Sequence, residues 1–488
     1  MADAGPREVV NFGGNVRFTA QHYFQPRDEA ELLQILRDHH GAKIRVVASR
    51  HAWSPLIECT EVLIDLVYLD RVMVERRGGE AWARVGGGCP MNRVLVELDR
   101  EGLTTPSIGL IAEQRIAGAI STGTHGSGKH SLSHYIESLR IACFAEDSRT
   151  PVIREITGGD ELRAARCGLG CLGVIVEVTF RCVPQYFVQE HAKRCSSLSE
   201  VMANESDWPL QQFFLIPHAW HWYAQQRRVD PRGRPSGGAW LYRWYWWLTF
   251  DIGLHLLILL AAATLRSRWA VHGLYRWLLP VAVRASWQVT DRSFRQLTMD
   301  HERFRHLEME LFVAADRLEG ALEFLREVLQ LADDGEFRVS AEVGAMLESC
   351  GQAEVARSLA GSYVHHYPIC IRRVLADDTL LSMAAGRDRT WYAVSLITYV
   401  IPREPFYGVA GLLAESMADL FEARIHWGKW FPWGAERVRR AYPDLGRFER
   451  VRRQLDPAGA FVNPWVSARL GVAGPGPGES VRSDAARR

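Results

Sequence analysis

The stretch that decides the fold is Ile116-Ala-Gly-Ala-Ile-Ser-Thr-Gly-Thr-His-Gly-Ser-Gly128. Glycines alternate with hydroxyl side chains and one histidine, so there is little bulk to keep an anion from the backbone N–H groups. Working outward, Val46-Val-Ala-Ser-Arg-His-Ala-Trp-Ser-Pro55 places a second loop of small residues after a β-branched run. Gly168-Leu-Gly-Cys-Leu-Gly173 matches G-x-G-x-x-G, but the β-prone run Val174–Phe180 follows it where a dinucleotide fold needs a helix. The Rossmann reading therefore fails on context. Two anion cradles in one domain point to a long diphosphate cofactor. The bland alternative is a pair of ordinary loops with turn glycines.

Around these loops the pattern alternates short strands and short helices. Ile44–Val47 and Val62–Leu66 read as strands, and Glu29–Asp38 carries apolar residues at helical spacing. The chain has 488 residues, 47% of them apolar, and 58 basic against 57 acidic side chains. That balance excludes a disordered chain and a polybasic nucleic-acid binder. Only Lys43, Lys129, Lys193 and Lys429 are lysines; every other basic side chain is arginine. The start of the sequence lacks an apolar stretch of signal-peptide length, and the nine cysteines form no CxxC pair. The expectation is a cytoplasmic protein with reduced thiols and no metal site.

Beyond about residue 185 the composition shifts. Trp208, 220, 222, 240, 244, 246, 247, 269, 277 and 287 crowd one region, and Trp244–Leu265 is its most apolar run. Asp251 and His255 interrupt that run, which disfavours a simple membrane span. Arg243, Arg266, Arg268, Arg276 and Arg284 interleave the tryptophans, a mixture expected either of helices lying in a headgroup interface or of a helical wall packed on a sheet. His301-Glu-Arg-Phe-Arg-His306 spaces its histidines five apart, too far around a helix for a zinc-protease pair. No G-x-S-x-G elbow is present.

Taken together, Asn11–Asn15 (NFGGN), Ser49–Ser54 (SRHAWS), Ile116–Gly128, Ala164–Pro184, Leu381-Ser382, His426-Trp-Gly-Lys429 and Asp456–Asn463 resemble the aldonolactone and alditol oxidases, FAD enzymes of the vanillyl-alcohol-oxidase type. The resemblance implies an α+β fold: a two-subdomain FAD-binding domain at 1–184, then an antiparallel-sheet cap with helices at 185–420 that includes the Trp-rich segment 240–290. A C-terminal segment at 421–470 would return to the flavin, and 471–488 would form a disordered tail. It also implies that His51 stands where many members attach the flavin covalently, the alternative being a loop histidine beside noncovalent FAD. Ser49, Arg50, Ala52 and Ser54 would cradle the pyrophosphate. Ser121, Gly123, Thr124, His125, Gly126 and Gly128 would line the diphosphate and ring edge, and Gly170, Gly173 and Val174 the adenine side.

On the catalytic side the family pattern is a Glu-x-Arg pair, and here Cys370-Ile-Arg372 occupies it. Arg372 matches and would orient substrate oxygen; Cys370 replaces the glutamate, which leaves the sugar-lactone substrate open. Glu342 could supply a relocated carboxylate or be a plain surface residue. Lys429 would stabilise charge on the reduced flavin, a role suited to a compact ammonium. His426 would orient substrate or accept a proton. Three functions follow: an oxidase of sugar lactones or polyols with oxygen as acceptor, a flavin dehydrogenase acting on a more apolar substrate with a quinone or protein acceptor, and a membrane-surface flavoprotein without turnover. A peripheral membrane contact through 240–290 is a further expectation, beside the alternative of a helical wall packed on the cap sheet.

Overall fold

The computed structural model describes residues 5–283, 287–299, 303, 305–386, 388–399 and 403–472. The expected tail from residue 473 onward, Arg284, and His301, Glu302 and Phe304 of the zinc-protease-like stretch lie outside the described residues.

The first part of the chain contains two main sheets. His22–Phe24, Val62–Asp65 and Ile44–Val47 form a parallel three-stranded sheet, covered by the helix Glu29–Asp38. That helix starts where Asp28 accepts the Glu31 N–H at 2.8 Å, and it buries Leu32, Ile35 and Leu36, the face its spacing predicts. The second sheet is antiparallel, in the order Pro151–Ile156, Ile136–Phe144, Val174–Arg181, Glu80–Gly86, Val72–Arg77. Val174 thus begins a strand, as the failed Rossmann pattern requires. The two sheets meet at Gly87 and Gly88. A Cβ at Gly88 would lie 1.8 Å from the Leu66 carbonyl oxygen, and one at Gly87 2.1 Å from that of Ile175. Only glycine permits so close a backbone approach.

The rest of the chain builds one eight-stranded sheet, whose strands are β1 (Phe187–Cys195), β2 (Gln212–Leu215), β3 (Trp222–Val229), β4 (Val289–Arg292), β5 (His306–Ala314), β6 (Ile369–Val374), β7 (Trp391–Tyr399) and β8 (Arg424–Ile425). Their order is β4-β1-β3-β2-β6-β7-β5-β8, antiparallel throughout. The helices Leu318–Asp333 and Glu404–Phe421 pack near β5 in the main core, which takes Leu307's neighbours Met309 and Leu311. Side chains alternate along a strand, so Glu308 and Glu310 project to the opposite face.

Between β3 and β4 the chain makes an excursion into apolar helices. One of them, Ala239–Thr264, is continuous for 26 residues and is long and apolar enough to cross a membrane, with 22% of its most apolar stretch buried. The interrupting Asp251 and His255 do not break it; both are buried on its protein-facing side.

The C-terminal segment closes back on the first sheet. Trp53 N–H donates to the Gly428 carbonyl at 2.8 Å and the Ser54 hydroxyl to that of Trp427 at 2.6 Å. Asn463 donates to the carbonyls of Pro55 and Glu58, both at 2.9 Å. Arg45 donates to four backbone carbonyls, those of Leu56, Gly170, Leu169 and Phe461, and so joins three separate stretches of chain.

Candidate active site

A cavity of about 530 Å³ lies between the two parts of the molecule. One end is a cradle of backbone and small side chains: Val47 to Ala52 after a parallel strand, Ala117 to Ala119, Ser121 and Thr124, and Gly170 with Gly173. Asn11 and Asn15 fix the first of these loops through the Ala52 and Trp53 carbonyls, each at 2.8 Å. Arg50 is held there at φ +60°, a conformation rare for a side chain of its size. His51 lines the cavity and stacks on Phe12 at 5.2 Å. Burial, helped by the charges of Lys429 and Arg50, pushes its imidazole down to about 4. These three loops fit an FAD, with a channel of small residues for the pyrophosphate and a neutral histidine beside it.

The expected cradle needs corrections in detail. Ile116–Ser121 is a short helix and not loop, and the Ser121 hydroxyl donates to the Ala117 carbonyl of the same helix at 2.6 Å. Ser54, Gly123, Gly126, Gly128 and Val174 are not among the lining residues. The Ser54 hydroxyl is held by the Trp427 carbonyl. A Cβ would meet the Met383 side chain at Gly123, the Ile108 carbonyl at Gly126 and the Pro209 carbonyl at Gly128. These glycines serve close packing.

At the floor of the cavity a buried charge cluster forms on β5, β6 and β7. Arg372 donates to Glu310 Oε1 at 2.8 Å, and the Ser395 hydroxyl donates to the same oxygen at 2.7 Å. His125 Nε2 lies 3.4 Å from Glu310 Oε2, and its Nδ1 lies 3.0 Å from the Gly126 carbonyl. His125 thus belongs to this cluster as well as to the flavin side. Burial opposes the charge on Glu310, but His125 and Arg372 outweigh it and hold the carboxyl well below the usual range. Glu308, two residues away on the same face, forms an ion pair with Lys429, whose ammonium also sits 4.4 Å over the Trp53 ring. Lys429 is the one lysine of the four that is buried.

His426 is buried beside them, and burial above all pushes its imidazole well below the ordinary range despite the pull of Glu310. Its Nδ1 accepts the Gly428 N–H at 3.0 Å, which leaves the proton on Nε2. His426 therefore presents a donor to the cavity, and the proton-accepting role expected for it gives way to orientation. Cys370 lines the cavity, but burial pushes its thiol up to about 11, so it stays neutral.

Position 370 carries no carboxylate, but a carboxylate lies two strands away in the same row. Cys370 and Ser395 are cross-strand partners, as are Ser395 and Glu310, so the three occupy one row across β6, β7 and β5. Glu342 sits on the helix Ala341–Ser349 and is exposed, far from any such role. The carboxylate that the structure places in that row, lining the cavity, is Glu310. Its signal in the sequence is Glu308-Met-Glu310, two carboxylates on one face of an otherwise apolar strand.

Past the cluster the cavity wall becomes apolar. Phe214, Tyr223 and Ile397 come from the sheet, Ile216 and Tyr367 from the chain just outside its strand ends; Trp246, Trp247, Phe250 and Leu254 come from the long helix and Leu279 from its neighbour. The outward face of that helix is also apolar, with Trp240, Trp244, Leu248 and Leu260 exposed. Of the interleaved arginines, Arg243 pairs with Asp291, Arg276 donates to the His218 carbonyl at 3.1 Å and Arg268 to the Asp333 and Gly361 carbonyls. These three are turned toward the protein.

Comparison with known proteins agrees with this arrangement. A family profile described as D-arabinono-1,4-lactone oxidase matches residues 178–469, and one described as an FAD binding domain matches 20–146. A long-chain alcohol oxidase from an uncultured marine euryarchaeote is 45% identical over 97% of this chain and 99% of its own length. Mouse L-gulonolactone oxidase is 26% identical, covering 94% of this chain and 97% of its own. Among solved structures, a solvent-stable cholesterol oxidase superposes with a TM-score of 0.75 at 15% identity, over 96% of this chain and 97% of that one, a likeness of fold. Fold and site thus define an FAD-linked oxidoreductase of the vanillyl-alcohol-oxidase type acting on CH–OH donors. Within that class, the chain belongs to the D-arabinono-1,4-lactone oxidase family.

Proposed function

We propose that this protein oxidises the CH–OH group of a long-chain alcohol to the carbonyl, with oxygen as the electron acceptor. The observation that carries the reading is the continuity of one cavity from the Glu310–Arg372 pair to the apolar wall of the long helix. A sugar lactone needs hydrogen-bonding groups along its whole length, whereas an alkyl chain gains about 0.8 kcal/mol for each methylene taken out of water. The 45% identity to a long-chain alcohol oxidase supports the same choice.

In this reading Arg372 and the Nε2–H of His426 grip the substrate oxygen, and Glu310, kept ionised by its neighbours, accepts the hydroxyl proton. FAD held by the three loops would supply the acceptor for the substrate's hydride, and molecular oxygen would take up the two electrons and two protons as hydrogen peroxide. Lys429 places a fixed positive charge over the cofactor's end of the site, where negative charge accumulates. The apolar wall excludes water from the reacting carbon. Anaerobic bleaching of the flavin with primary alcohols of increasing length is the test, followed by air and a peroxide assay. Kcat/KM is expected to rise about threefold to fourfold per methylene over a span of chain lengths. A flat profile, or faster reduction by aldonolactones than by any alkanol, sinks the substrate assignment. Peroxide formed in proportion to reoxidised flavin supports oxygen as acceptor, and reoxidation only by quinones favours a dehydrogenase.

His51 is the proposed covalent tether. An imidazole kept neutral offers a ring nitrogen lone pair to the flavin 8α-methyl. Acid-precipitated protein is expected to stay yellow, and His51→Ala to release its colour while still binding FAD. Colour in the wild-type supernatant would leave a noncovalent site.

The exposed tryptophans support a peripheral membrane contact around the cavity's apolar end. Trp269 is 86% and Trp277 76% exposed, and Asp251, the one acidic residue from 239 to 283, is buried. An apolar rim without negative charge suits the headgroup layer of an anionic leaflet, from which an apolar substrate could enter. The native enzyme is expected to co-sediment with anionic vesicles, and a Trp269→Ser/Trp277→Ser variant to remain in the supernatant with its activity on soluble short alcohols intact. Equal sedimentation of both would exclude this surface.

A further inference from the structure

We propose that His218, His272 and Asp333 form a binding site for a divalent transition-metal cation, Zn²⁺ by the chemistry of its ligands, outside the flavin cavity. The three come from separate parts of the cap. His218 lies in the turn between β2 and β3, His272 on the helix Arg268–Gly273, and Asp333 at the end of the helix Leu318–Asp333. One donor atom from each lies within 4.8 Å of the other two. His218 Nδ1 is 3.3 Å and His272 Nε2 2.8 Å from Asp333 Oδ2, and the imidazoles stack at 4.2 Å. Ligands around a tetrahedral zinc stand roughly 3.3 Å apart, so small side-chain rotations would close the site.

The hydrogen bonding suits a cation there. His218 Nε2 is 2.7 Å from the His365 carbonyl oxygen, which fixes the ring with that nitrogen as the donor. Nδ1 is thereby turned toward Asp333 Oδ2 and is the ring atom free to ligate a metal. A backbone carbonyl fixing the far nitrogen is also the usual support for a metal-bound histidine. Among the described residues Asp333 Oδ1 accepts no hydrogen bond, and Arg268 Nη1 lies 3.9 Å from it, so it is available as a further ligand or as the anchor of a bound water.

The turn that presents His218 is itself strained. Both His218 (φ +64°) and Trp220 (φ +49°) adopt the left-handed region without being glycine. Strain held at two positions in one turn is the mark of a residue placed for a purpose. Imidazole and carboxylate together favour zinc over magnesium or calcium, which prefer all-oxygen sites. The other compact trio, His125, Glu310 and His426, is not a comparable site, because Arg372 already pairs with its carboxylate. A metal at His218, His272 and Asp333 would fasten the helices carrying Trp269 and Trp277 to the cap sheet.

The test uses the flavin-loaded full chain, stripped with chelator and titrated with ZnCl₂ by calorimetry, with metal content measured after desalting. One equivalent of zinc per chain and a rise in melting temperature are expected. Both should vanish in His272→Gln and Asp333→Asn variants whose flavin spectra match the wild type, which shows that they have folded. No stoichiometric uptake by the wild type, or uptake unchanged in both variants, would overturn the site. Zinc binding without any thermal shift would overturn its role as a fastener.

Discussion

Glu310→Gln is expected to give a folded, yellow protein that is reduced by its alcohol about 10³-fold more slowly, the typical contribution of a positioned base. Glutamine keeps the shape and can still accept the Ser395 hydroxyl, but it cannot take up the substrate proton. It also leaves Arg372 buried without its counter-charge, at a stability cost of about 3 kcal/mol. A second variant separates the two effects. Glu310→Gln combined with Arg372→Gln should recover stability, since no lone buried charge remains, and should recover none of the rate. Stopped-flow reduction within about tenfold of wild type for Glu310→Gln would remove Glu310 as proton acceptor. The signature residue Cys370 offers a contrast: Cys370→Ser should leave the rate within about threefold, because a neutral thiol takes no proton.

Acid is expected to unfold this protein unusually early. Burial pushes His255 and His366 down to about 4, and the less buried His134 likewise. In the unfolded chain each imidazole takes up a proton near pH 6.5, while in the folded chain it does so only near 4. Between those values the unfolded state binds more protons, so stability rises with pH across the window and is lost as pH falls. For His255 and His366 the loss reaches up to about 3 kcal/mol each, a large part of a typical folding free energy. Asp377 and Asp456, which burial raises, oppose the trend in the carboxylate range. Glu310, held low by His125 and Arg372, reinforces it further down. Melting temperature measured from pH 7 to 4 should therefore fall steeply below about 6.5. A His366→Gln variant that folds should flatten the slope, and a level profile for the wild type would contradict the burial of these rings.

Much of this was legible in the residues. Glu29–Asp38 and Ile44–Val47 form the elements their periodicity predicts, because a local pattern of apolar residues is enough to specify them. The three small-residue loops converge on one cavity because their lack of bulk allows it. The Glu308-Met-Glu310 pattern marks two carboxylates on one strand face, but not what they meet, since the partners of Glu310, Arg372, His125 and Ser395, lie at least 62 residues away in the chain. Strand order alone brings them together, and strand order leaves no trace in local spacing. The long helix shows a related limit. Asp251 interrupts the apolar run in the sequence, and only the structure shows that the helix continues through it with that side chain on the face that the protein buries. Likewise Ser54, Gly123, Gly126 and Gly128 belong to motifs that point at the cofactor, yet a motif cannot say which of its members face the ligand and which allow two backbones to touch.

The closure of the cradle by the far end of the chain has a consequence for how the enzyme is made. Arg45 and Lys43 each bond to residues 416 positions later. Contacts of such sequence separation form late, because a very long loop must close before they contribute. On the ribosome the first sheet can emerge and pair while Gly428, Gly459, Phe461 and Asn463 have not yet been synthesised. The nascent chain thus exposes an unfinished cofactor site until the segment around residues 428–463 has been made, and flavin loading becomes a checkpoint on the synthesis of that segment: a chain truncated before about residue 460 lacks the stretch that seals its own cradle.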